Sequence, residues 1–103
     1  MPETGGNIVT ITYCTQCRWM LRAAWMAQEL LTTFEQELAE VGLRPGTGGV
    51  FEVVANRTTI WSRTAEGRFP DIKELKQRVR DQVAPGRNLG HTDTPAASDR
   101  DHS

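Results

Sequence analysis

Ile8-Val9-Thr10-Ile11-Thr12-Tyr13-Cys14-Thr15-Gln16-Cys17 is a run of β-favouring residues that ends in two cysteines spaced C-x-x-C. All six residues from Ile8 to Tyr13 are β-branched or aromatic, which suits a pleated surface. Apolar residues fall on both faces, so the pattern predicts a central strand buried on both sides. Helical spacing follows over residues 18–41, where Leu21, Ala24, Leu31, Phe34, Leu38 and Val41 share a face and Gly42 supplies a stop. The dithiol therefore sits where a strand meets a helix. A helix start carries unpaired N–H groups and the positive end of the dipole, and both lower a thiol pKa. Two intervening residues let one sulfur face outward while the other folds beneath it. Arg18 is expected to add a nearby cation, and Thr15 to cap the helix.

Composition narrows the function classes. The chain has 103 residues, a net charge of −1, 38% apolar and 24% charged residues, and a pI of about 6.1. That is one domain, with no charge bias toward nucleic acid or an anionic membrane. No apolar run reaches the roughly 18 residues of a membrane span. Met1–Gly6 lacks the basic and apolar parts of a signal peptide, so a cytoplasmic location is expected, where thiols stay reduced. Cys14 and Cys17 are the only cysteines. A cross-link between them closes too short a loop to staple a fold. Two alternatives to redox chemistry are plain core packing of both cysteines and a zinc site. Zinc needs four ligands, and only His91 and His102 are left to help. His91 could also serve as a base near the dithiol, or simply face solvent. No metal or organic cofactor is expected.

The rest of the chain supplies the frame. A short strand is expected around Val41-Gly42-Leu43-Arg44, ended by Pro45-Gly46. Thr47-Gly48-Gly49 is a loop, Val50–Ala55 a strand, Asn56-Arg57 a turn, and Thr58–Ser62 the returning strand of a hairpin. Residues 63–68 read as a polar loop. A second helix opens at Pro70, with Asp71 and Glu74 at its positive end, and stops at Pro85-Gly86. Its stripe is Ile72, Leu75, Val79 and Val83, while Lys73, Lys76, Arg78 and Arg80 read as a solvated face. Residues 1–7 and 87–103 are polar and expected to be flexible around a domain at 8–86. The order is β-α-β-β-β-α. It implies an α/β (α+β) sandwich with a mixed four-stranded sheet, the first strand central and the third antiparallel to it, a thioredoxin-like arrangement. Trp19, Met20, Trp25 and Met26 make the first helix apolar nearly all round close to the cysteines. Both tryptophans either belong to the core or form a rim for docking a partner thiol protein.

Three further stretches point to a family. Tyr13–Cys17, Gly46-Thr47-Gly48-Gly49-Val50-Phe51-Glu52-Val53 and Gly67-Arg68-Phe69-Pro70, with Asn88-Leu89-Gly90-His91 at the end, resemble the selenoprotein W-like (SelT/SelW/SelH, Rdx) redox family over residues 8–91. The resemblance implies a thioredoxin-like fold and thiol-disulfide oxidoreductase or antioxidant activity. A thiol partner protein or glutathione would be the co-substrate. Selenium-containing members carry selenocysteine at the position of Cys17, which nominates Cys17 as the reactive atom, whereas thioredoxin logic nominates Cys14. Thr47, Gly48 and Gly49 stand where thioredoxins place a cis-proline, so their backbone is expected to contact substrate, with Trp19 beside it.

Overall fold

The computed structural model describes residues 6–90. Seven elements follow in order: β1 Asn7–Cys14, α1 Met20–Thr33, β2 Leu38–Gly46, β3 Phe51–Ala55, β4 Thr58–Ser62, α2 Arg63–Glu66 and α3 Ile72–Val83. The sheet order is β2-β1-β3-β4. β1 pairs parallel with β2 and antiparallel with β3, and β3 pairs antiparallel with β4. The expected mixed four-stranded sheet with a central first strand is the observed one.

One face of the sheet carries the core. Val9, Ile11, Phe51, Val53 and Trp61 meet Ala23, Met26 and Leu30 of α1, and Leu75 and Val79 of α3. The other face has no helix over it, and Ile8 is 41% exposed. β1 is thus buried on one face only, contrary to the expectation from its composition. Both long helices lie in one layer, so Thr10 and Thr12 need only tolerate a half-open surface.

The first helix is shorter than its periodicity predicts. It ends at Thr33, and Leu38 begins a nine-residue strand. Two threonines at the end of α1 are weak helix formers. The N–H groups of Glu37 and Leu38 both close on the carbonyl of Phe34. The competing demand is β1, whose backbone would otherwise be buried without partners along that edge. Pairing overrides the helix propensity of the Glu-rich segment.

Other expectations are corrected on a smaller scale. Residues 63–66 form a single helical turn rather than a loop, with Ser62 accepting from the N–H of Ala65 and Gly67 closing the turn at φ 79°. Pro70 is buried before α3. Asp71 is the N-cap, in a capping box with Glu74. The basic residues of α3 hold neighbours rather than facing solvent freely. Lys76 reaches Glu29 of α1 at 2.9 Å, and Arg78 bonds the Ile60 carbonyl and Glu66. Past Pro85-Gly86, Arg87 pairs with Glu37 at 2.9 Å and Leu89 packs against the core. His91 and His102 lie outside the described residues.

Glu74 also receives both guanidinium nitrogens of Arg68, at 2.9 and 2.8 Å. That pair is the first cause of a carboxyl pKa lowered from 4.5 to about 2. A carboxylate depressed on folding stabilises above its unfolded pKa and loses that contribution as pH falls toward the folded value. Glu74→Gln keeps the capping box but loses the charge. It is expected to cost about 0.5–1 kcal/mol at neutral pH, a small figure because the pair is partly exposed and screened. The difference from wild type should vanish in urea unfolding as pH falls from about 4.5 to about 2.

Candidate active site

Cys14 is the last residue of β1 and is 1% exposed, although it alternates with Val9 and Ile11 along the strand and lies outside their core cluster. Cys17 is exposed, in the turn that leads to α1. The two sulfurs stand 2.8 Å apart, with the Cys17 thiol donating to Cys14. Both are free thiols. Less than about 1 Å of sulfur movement separates them from disulfide bonding distance. The C-x-x-C spacing thus gives one outward and one inward sulfur, and the inward one is the first.

The turn is held from the neighbouring strand. The N–H of Thr15 donates to the carbonyl of Gly46 at 3.0 Å, and Thr15 Oγ1 donates to the same oxygen at 3.2 Å. Thr15 is therefore an anchor, not the expected cap. α1 starts only at Met20, with Trp19 as N-cap and no side-chain bond there. Arg18 intervenes at φ 64°, a left-handed conformation that ends the turn before the helix. The sulfurs consequently depend on turn and loop N–H groups rather than on the helix start itself.

Those groups split the two thiols. The pKa of Cys14 is lowered, first by the donated hydrogen bond of Cys17, and further by the N–H groups of Gly49, Cys17 and Gln16, against an opposing effect of burial. The pKa of Cys17 is raised, first by its bond to Cys14, then by desolvation and by the nearby Cys14 charge. The two sulfurs are joined by one hydrogen bond, and the pair titrates as a unit. The thiolate ultraviolet absorbance should rise in two steps, one below and one above the ordinary thiol range. Cys14→Ser should replace them by a single step nearer that range, because Cys17 then has no thiolate to donate to.

Gly49 is where the expected substrate loop meets the sulfurs. Gly48 and Gly49 stand at φ 73° and 78°, a conformation open to glycine at little cost. That geometry turns the Gly49 N–H toward Cys14 and Cys17. Thr47 and Gly48 are exposed in the same turn. Upstream, a Cβ on Gly46 would lie 2.8 Å from Val50 Cγ1 and 3.1 Å from Thr12 Cγ2, so a side chain there would force its neighbours to shift.

Trp19 is half-buried. It packs edge-on against Phe69 at 4.8 Å and Phe51 at 6.4 Å, and those two rings meet each other at 5.1 Å. Trp25 is 48% exposed, and Met26 is buried in the core. A rim built of Trp19, Trp25 and Met26 is thus not present as such, because α1 turns Met26 toward the sheet. The cation acting on Cys17 is Arg63, not the expected Arg18. Arg63 lies over Trp19 at 4.9 Å and Phe69 at 5.3 Å, with its Nε buried and without a hydrogen-bond partner. Arg22 covers Phe69 at 4.0 Å. In the sequence Arg63 is one polar residue after a strand, with no spacing that links it to the cysteines. Among the described residues no three His, Cys, Asp or Glu side chains cluster as metal ligands, and no helix is long and apolar enough to cross a membrane.

The model of the Rdx family matches residues 8–81. Among solved structures, the selenoprotein W-related protein of Vibrio cholerae aligns at 55% identity and a TM-score of 0.73, over 74% of this chain and 95% of that one. A protein of Bordetella parapertussis aligns at 58% identity and a TM-score of 0.73, over 75% and 98%. No curated protein matches the chain.

Proposed function

The chain belongs to the Rdx family, and from that premise we propose that it is a thiol-disulfide oxidoreductase in which Cys17 attacks and Cys14 resolves. The observation that supports this reading is the pair itself: an exposed sulfur 2.8 Å from a buried one. A substrate disulfide can reach Cys17. It cannot reach Cys14, which is 1% exposed, until the second step brings the substrate's sulfur to it as part of a mixed disulfide.

The cycle balances without a cofactor. The Cys17 proton passes along the hydrogen bond to Cys14, against the ordering of their pKa values, so the attacking Cys17 thiolate is the less populated form and its advantage is exposure. That thiolate attacks one sulfur of R–S–S–R, forms Cys17–S–S–R and expels RS⁻, which takes a proton from water. Cys14 then gives up its proton and attacks Cys17, forming the Cys14–Cys17 disulfide and expelling the second RS⁻. The substrate gains two electrons and the protein loses them. Glutathione or a thioredoxin-type dithiol, in a reducing compartment such as the cytoplasm, returns them. The Gly49 N–H acts on both sulfurs, and on this reading Thr47, Gly48 and Gly49 would meet the substrate backbone, with Trp19 flanking it.

A second reading, a redox-sensitive interaction module without turnover, draws on the exposure of Trp25 at 48% and Leu21 at 79%. Turnover separates the two. Reduced protein mixed with oxidised glutathione should form the Cys14–Cys17 disulfide, and a reductant should restore the dithiol over repeated cycles. Reaction no faster than that of a free thiol at neutral pH would sink the enzyme reading.

A further inference from the structure

The sheet ends in two unlike edges. β4 has five residues, and Arg78 Nη1 already occupies its Ile60 carbonyl at 2.9 Å. β2 has nine residues, and an open edge of that length is a template for pairing. Its polarity is fixed by the bond from Thr15 N–H to Gly46 O. Gly46, and with it Arg44, Gly42 and Glu40, turns its backbone toward β1. Ala39, Val41, Leu43 and Pro45 turn theirs outward.

The side chains along this edge suit a second copy of the same strand. Glu40 is in register with Ile8 and Arg44 with Thr12, so both stand on the open face of the sheet. Neither makes an ion pair among the described residues. Val41 and Leu43 stand on the helix face, beside Val9 and Ile11. An apolar flank lies above them. Ala23, Met26 and Leu30 of α1 face the core, and Glu29 reaches α3 through Lys76. At about 100° per residue, Met20, Ala24 and Leu31 then fall on the side away from α3, over β2. Met20 is 49%, Leu31 41% and Leu43 37% exposed.

We propose that this edge is a homodimer interface, with two β2 strands paired antiparallel about a two-fold axis at Gly42. In that register Glu40 faces Arg44 of the partner subunit, and Arg44 faces Glu40 of the partner subunit. Val41 stands opposite Leu43 of the partner subunit, as a pair that exchanges both backbone hydrogen bonds. Pro45 has no N–H to give, but its carbonyl is free to accept from Ala39 of the partner subunit. Gly42 meets its own copy at the axis, where the absence of a side chain permits close approach. Centring the pair on Val41 or Leu43 instead leaves all four charges unopposed, so the charges specify one register. The two sheets become one of eight strands, and the α1 flanks cover each other across the seam.

The experiment is sedimentation velocity on the full chain over a wide concentration series. Reductant is kept present so that no Cys17 cross-link contributes. Wild type is expected to dimerise reversibly. Glu40→Arg and Arg44→Glu each place like charges opposite, and each should weaken the dimer at least about tenfold. The double swap, and an equimolar mixture of the two single variants, should recover it, since both restore opposite charges in the same register. Within one chain the two positions are too far apart to compensate each other. Circular dichroism confirms that each variant is folded. A monomer at every concentration overturns the proposal. So does a dimer indifferent to the single changes, or a mixture no stronger than the single variants.

Discussion

Cys17→Ser is expected to abolish disulfide exchange, lowering the rate at least about a hundredfold, whereas Cys14→Ser should leave the first step and stop the second. A hundredfold corresponds to about 2.7 kcal/mol of transition-state stabilisation, a modest figure for removing the nucleophile. The asymmetry follows from position. Cys17 stands exposed in the turn, and Cys14, the last residue of β1, is buried. With Cys17 gone, the remaining sulfur is 1% exposed and the substrate disulfide cannot line up behind it. With Cys14 gone, Cys17 still attacks, and the mixed disulfide accumulates because nothing resolves it. Stopped-flow with a chromogenic disulfide, followed by mass measurement of the products, checks both variants. Equal loss in the two first steps would contradict the assignment.

Phe51→Ala should be among the most damaging single changes outside the cysteines. Phe51 is fully buried and supports Trp19 and Phe69 from below. Deleting a buried aromatic ring costs about 3–5 kcal/mol, part of it transfer and part the cavity left behind. For a domain of this size that is a large share of total stability. Urea unfolding at neutral pH measures it. The variant should also lose definition at the site, because Trp19 forms the entry to α1 two residues after Cys17, and Phe69 carries Arg22 and Arg63 on its ring. An unchanged unfolding midpoint would mean that the aromatic cluster is decoration rather than support.

Much of this frame is written locally. Six β-favouring residues before the C-x-x-C, the Val50–Ala55 strand, the hairpin turn and the Asp71–Glu74 start of α3 all declare themselves within a few neighbours. Asn56 shows how local chemistry serves a distant contact. It takes φ 56°, accepts from the N–H of Ile8 and donates to Asn7 Oδ1, so one turn residue fixes the hairpin to β1. What was not legible depended on partners far along the chain. Residues 34–41 have helical composition and become turn and strand because β1 needs a parallel neighbour. Whether β1 is covered on one side or two depends on where α3 packs. At the site, the C-x-x-C located both sulfurs but not their depth, which is set by the strand ending at Cys14 rather than before it. Arg63 arrives from the far end of the β3–β4 hairpin, and nothing within its own stretch marks it.

The central claim is that the outward sulfur of the pair, Cys17, is the one that reacts first. The most direct measurement is brief alkylation of the reduced wild-type chain with a limiting amount of iodoacetamide at neutral pH, followed by peptide mapping of the singly labelled protein. The label is expected on Cys17, with Cys14 protected until the chain is unfolded. A first label on Cys14 would contradict the account, since burial would then not decide which sulfur meets the substrate.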